Sequence, residues 1–83
     1  MDILANANNT QLKRIQIFFY ANDHPPQHIH VEKGEGTAKF NLYPVELIRS
    51  KRFKAADINN IRKLVLENQE LFNTKWNDYF NNK

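Results

Sequence analysis

The stretch LKRIQIFFYANDHPPQHIHVEK, residues 12–33, decides the fold. Its opening puts Ile15, Ile17 and Phe19 on one side of an extended chain and Gln16, Phe18 and Tyr20 on the other. β-Branched and aromatic residues in alternation suit a half-buried strand, predicted over 14–20. Pro25 and Pro26 then interrupt regular pairing, because proline has no N–H for a ladder hydrogen bond. The alternation resumes at His28-Ile29-His30-Val31-Glu32-Lys33, predicted as a strand over 28–33. Ile29 and Val31 turn toward the core there, and His28, His30 and Glu32 toward the opposite face. Gly34-Glu35-Gly36 supplies a tight hairpin loop. A third strand follows over 37–42, with Ala38, Phe40 and Leu42 inward.

Beyond Tyr43-Pro44, the segment 45–48 reads as a short fourth strand or as a turn packed on the sheet. From Ile58 the period changes. Ile58, Ile61, Leu64 and Val65 recur at helical spacing, which predicts a helix over 56–67 with Asp57 in its first turn. Leu71, Phe72, Trp76, Tyr79 and Phe80 form a second stripe over 69–80, with Asn68 as the candidate break between two helices; one continuous helix over 56–80 is the alternative. The expected class is therefore α+β: a small antiparallel β-sheet of three to four strands followed by a C-terminal helical hairpin. Residues 1–11 read as a flexible N-terminal lead-in, and 12–80 as a single domain.

The chain has 83 residues, 41% of them apolar or aromatic, enough for a core. It has no cysteine, which excludes disulfides, thiolate metal sites and thiol catalysis. No apolar run is long enough to span a membrane, and the first residues lack the pattern of a signal peptide, so a cytoplasmic protein is expected. Twelve Lys and Arg stand against nine Asp and Glu, a modest excess that permits nucleic-acid contact without demanding it.

All three histidines fall within residues 24–30. On a strand, His28 and His30 project to one face at roughly 6.5–7 Å backbone spacing, close enough for two imidazoles to converge on one ion. His24 is the candidate third ligand of a divalent metal such as zinc or manganese. Asp23 would complete or orient the set, and Glu32 would accept a proton from bound water. In the structural alternative, His24 and Asp23 brace the proline turn while His28 and His30 stack on Phe18 or Tyr20. Acid–base work without metal is also open, because histidine titrates near neutrality.

The order Asn22-Asp23-His24 followed by His28-Ile29-His30-Val31 resembles the signature of the small bacterial DUF4160 family. The resemblance continues through Glu32, the Gly34/Gly36 turn and the helical half to Trp76. It departs at the prolines, where Gln27 separates Pro26 from His28. It implies a functional face of Asn22, Asp23, His24, His28, His30 and Glu32. It also implies small stand-alone proteins often encoded near toxin–antitoxin-like partners.

Arg49-Ser50-Lys51-Arg52-Phe53-Lys54 is the one concentrated basic run, and Arg49, Lys51, Arg52 and Lys54 are the nucleic-acid contact candidates. Phe18 and Tyr20 on the outer face suggest a protein partner or a homodimer to cover them. Two functions from different classes stand. One is a small regulatory or interaction protein, toxin–antitoxin-like, docking through the His/Asp face. The other is a metal-dependent hydrolase or nuclease using His24, His28 and His30, with Asp23, Glu32 and Lys39 in catalytic roles.

Overall fold

The computed structural model describes residues 9–12, 14–20 and 22–81. Five strands run in chain order across one antiparallel sheet: β1 (Asn9–Leu12), β2 (Ile15–Phe18), β3 (His28–Lys33), β4 (Gly36–Leu42) and β5 (Val45–Lys51). Two helices follow, α1 (Ala55–Glu67) and α2 (Gln69–Asn81). The protein is α+β, with the sheet before the helices.

Turn chemistry sets the register. Lys33 pairs with Gly36 across a two-residue loop whose first member, Gly34, has φ of 59°. Positive φ at that position is natural for glycine and matches the twist of the flanking strands. Gly36 is needed for a different reason: any Cβ there would run into the Phe53 ring. Tyr43-Pro44 closes the next hairpin, between Leu42 and Val45.

The inner sheet face carries Ile15, Ile17, Ile29, Val31, Ala38, Phe40 and Leu42. They pack with Ile58, Ile61, Leu64 and Val65 of α1 and Phe72 of α2. Each large side chain buried there contributes roughly 1.5–3 kcal/mol. Asp57 accepts the Lys54 N–H at 3.0 Å and so caps the start of α1. Asn68 separates the helices: its backbone N–H bonds the Leu64 carbonyl at 3.1 Å, and its side-chain amide donates to the same oxygen at 2.9 Å.

The structure departs from the sequence reading in several places. The sheet has five strands, not three or four. Asn9–Leu12 carries no alternation, yet it satisfies main-chain groups along the open edge of β2. The lead-in expected over 1–11 lies outside the described residues except for 9–11, which pair. β5 extends to Lys51, so it absorbs half of the basic run. Phe19 and Tyr20 fall beyond the end of β2, and Phe19 packs on Trp76, Tyr79 and Phe80 instead of joining the inner-face row. Leu71 is 42% exposed and stands outside the buried stripe of α2.

Candidate functional site

The connection from β2 to β3 builds the site. Asp23 lies back against Tyr20, its N–H donating to the Tyr20 carbonyl at 3.0 Å. The Tyr20 N–H in return donates to Asp23 Oδ2 at 2.8 Å, which fixes the carboxylate. The prolines then lead into β3, where alternation points His28 and His30 at that carboxylate. His28 Nε2 lies 3.3 Å from Asp23 Oδ2, and His30 Nε2 lies 3.2 Å from the same oxygen.

One hydrogen bond fixes the chemistry of His28. Its Nδ1 lies 2.8 Å from the Pro26 carbonyl. A carbonyl can only accept, so Nδ1 carries the proton, and a neutral His28 turns its Nε2 lone pair toward Asp23. Two acceptors at 3.3 Å repel unless a proton or a metal ion lies between them.

Aromatic rings enclose the pair. Phe18 stacks on His30 with centroids 5.6 Å apart, and Tyr20 meets His30 edge-on at 4.8 Å. Trp76 of α2 lies over His28 at 5.1 Å, and the two imidazoles stand nearly perpendicular at 5.3 Å. His28 is only 5% exposed, the one buried polar or charged side chain among the described residues. Burial lowers the His30 imidazole below its ordinary 6.5. The Asp23 carboxylate opposes that shift, while the charges of His28 and Lys39 reinforce it.

Asp23, His28 and His30 therefore bring three donor atoms within 4.8 Å of one another. Ligands about 2.0–2.1 Å from a tetrahedral zinc ion lie about 3.3–3.4 Å apart, close to both observed Asp–His separations. The three named in sequence as ligands are only partly brought together, because His24 is exposed and outside this group. Asp23 occupies the third place. Asn22 is exposed too, and Glu32 is an exposed residue one row along the outer face. Lys39 sits directly opposite His30 in the β3–β4 pairing.

The basic run divides. Arg49 pairs across from Lys39, and Lys51 from Thr37, so both join the outer face beside the histidines. Arg52 turns away, bonding Glu35 at 2.7 Å, and Lys54 stands exposed at the start of α1. Next to His30 the face is hollowed into a groove of about 190 Å³, lined by Phe18, Tyr20, Glu32, Lys39, Arg49 and Lys51 among others. Trp76 and the Pro26 carbonyl are the supports of this site that sequence reasoning did not assign to it. Nothing in the periodicity of α2 shows which sheet face Trp76 will reach.

A family model described as a domain of unknown function, DUF4160, matches residues 14–77. The chain belongs to the DUF4160 family. The match spans the whole site, from Phe18 to Lys51, and reaches Trp76. No curated protein and no solved structure matches the chain. No helix among the described residues of this DUF4160 protein is long and apolar enough to cross a membrane.

Proposed function

We propose that this DUF4160 protein is a small metal-dependent hydrolase of the nuclease type, with Asp23, His28 and His30 as the metal centre. The observation that carries the reading is His28 Nε2 aimed at the Asp23 carboxylate at 3.3 Å, with its ring locked from behind by Pro26. A carbonyl bonded to the far nitrogen of an imidazole is the usual way a ligating histidine is held. Three protein ligands leave a fourth position for water, as hydrolytic zinc sites do. Lys39, opposite His30, supplies positive charge where a phosphoryl oxygen would gain negative charge.

Zinc and manganese titrations by calorimetry on wild type and on Asp23→Asn test this. Binding is expected at about pH 7.5 and should weaken steeply toward about pH 5, because only neutral imidazole has a ligand lone pair. Asp23→Asn should weaken it at least about tenfold while the circular dichroism spectrum is kept. Wild-type affinity no tighter than about 100 μM at the higher pH would overturn the reading.

A second reading, a small regulatory or interaction protein of toxin–antitoxin-like kind, draws support from the same carboxylate. Asp23 Oδ2 already faces three nitrogen groups, a geometry that also serves as a structural clamp behind a docking face. A protein partner or a second copy would then cover the outer sheet. Exposed aromatic surface does not argue for it, since Phe18 is 2% exposed beneath Tyr20 and His30. Both readings are of a cytoplasmic protein.

A further inference from the structure

In β5, Val45 and Leu47 pair with Leu42 and Phe40 and turn toward the core face. Strict alternation would send Arg49 and Lys51 the same way, into apolar surroundings. It does not, because the register shifts at Lys39/Phe40: Lys39 pairs with Arg49 and Phe40 with Leu47, leaving Ile48 as an extra residue. The bulge reverses the parity of all that follows, and Arg49 and Lys51 emerge on the outer face. Bulges recur beside functional sites because they re-aim side chains at little cost elsewhere.

The result is a row across three strands, His30 opposite Lys39 opposite Arg49, with Lys51 one row further, across Thr37 from Glu32; the like charges directly opposite are Lys39 and Arg49. Like charges directly opposite one another destabilise a sheet. Among the described residues, no ion pair neutralises Lys39, Arg49 or Lys51. An arrangement that is unfavourable in the free chain becomes favourable around a polyanion. The groove holds about 190 Å³ and has half-buried Tyr20 at its histidine end. It lies on the sheet face itself, across β3, β4 and β5, whereas a duplex is read by an element that enters its major groove. Cations tracking a backbone, with an aromatic ring beside them, are the recognition chemistry of single strands.

We infer that the groove binds single-stranded nucleic acid, with backbone phosphates on Lys39, Arg49 and Lys51 and the strand entering toward His30. This names the substrate class of the centre proposed above and rests on that reading for its catalytic sense. The binding itself does not need the metal.

The test is fluorescence anisotropy with labelled oligouridylate and oligothymidylate of about 12 nucleotides, within the usual span of single-strand sites, in the presence of a chelator. Wild type should bind one or both, with log affinity falling against log salt at a slope near about −2 for three contacts. Lys39→Gln with Arg49→Gln should lose about tenfold or more and flatten the slope to about −0.7. The paired control, Arg52→Gln with Lys54→Gln, removes the same charge off the groove and should bind as wild type does. No wild-type binding, tighter binding to a duplex of the same length, or equal loss in the two charge pairs would each overturn the inference. None of these touches the metal centre, whose own failure is read by calorimetry alone. Thermal melts of all variants confirm that they are folded.

Discussion

The two faces of the sheet are products of one alternating pattern, yet they are determined by different physics. On the inner face, Ile17, Val31, Phe40 and Leu42 share one apolar cluster with α1 and Phe72, and each position is set by volume and the exclusion of water. On the outer face, Phe18, His30, Lys39 and Arg49 occupy the row immediately beside them, and charge and hydrogen-bonding geometry decide what that row does. Phe18 shows where the contrast softens. It lies on the outer face but is as buried as the core, because Tyr20 and His30 close over it. An apolar row and a row of polar and charged groups are thus separated by one residue of strand parity.

The comparison would break first at Trp76, which belongs to a helix but roofs the outer-face histidine. Trp76→Ala should cost about 3–5 kcal/mol, the same range as Phe40→Ala on the inner face. Urea denaturation with a native, blue-shifted tryptophan emission as the reference measures it. A solvent-like emission from wild type would contradict the packing on His28 and Phe19. His28→Ala belongs near this class too, because the ring is buried; conservative changes at Asp23 and His30 are the cleaner probes of chemistry.

Gly36→Ala is next. The added methyl meets the Phe53 ring, and relieving that overlap should cost about 1–3 kcal/mol, read as a lower denaturation midpoint with unchanged m-value. If Phe53→Ala in the same chain did not recover part of the loss, the cause would not be the close approach.

The outer face should show itself by pH more than by total stability. The folded His30 imidazole has a lower proton affinity than the unfolded value of 6.5. Below that pH the unfolded chain binds more protons than the folded one. His30 therefore gives its full support above about pH 6.5, and that support falls as the pH drops toward its lowered folded value. Asp23, His28 and Lys39 all face the ring and take part in its titration. The pH dependence of the denaturation midpoint between about pH 5 and 7.5 should be shallower in His30→Gln than in wild type. An imidazole NMR titration midpoint above 6.5 for His30 would contradict the sign.

The smallest effect is expected at Lys39. Lys39→Gln removes a like-charge neighbour of Arg49 and should leave stability unchanged or raise it by about 0.2–1 kcal/mol at low salt. A loss of stability would mean that Lys39 has a structural role and that the two faces are less separate than described.

Much of this was legible in residues 12–33 and their continuation. Alternation assigned Ile29 and Val31 inward and His28 and His30 outward, the glycines marked the β3–β4 hairpin, and Ile58, Ile61, Leu64 and Val65 marked α1. Asn68 was readable as the joint between helices. Stacking of His30 on Phe18 was among the expected alternatives. Asp23 was readable as the residue that completes or orients the set, but not that it, and not His24, joins His28 and His30. Asp23 and His24 are adjacent in sequence, and only the bonding of Asp23 to Tyr20 directs one of them inward and the other to solvent.

What the sequence alone determined is whatever depends on local spacing: strand and helix periods, the parity of β3 and β4, the positions of turns. What only the tertiary structure decided depends on residues far apart in the chain. The bulge at Ile48 is set by how β5 accommodates β4, and it reverses a parity that the spelling of 45–51 would otherwise dictate. The roof over His28 is set by α2 folding back across nearly fifty residues to place Trp76. Periodicity states which side chains share a face; it carries no information about which distant surface will close over them, as α2 does over His28, or where a register shift will turn a cation to the other face.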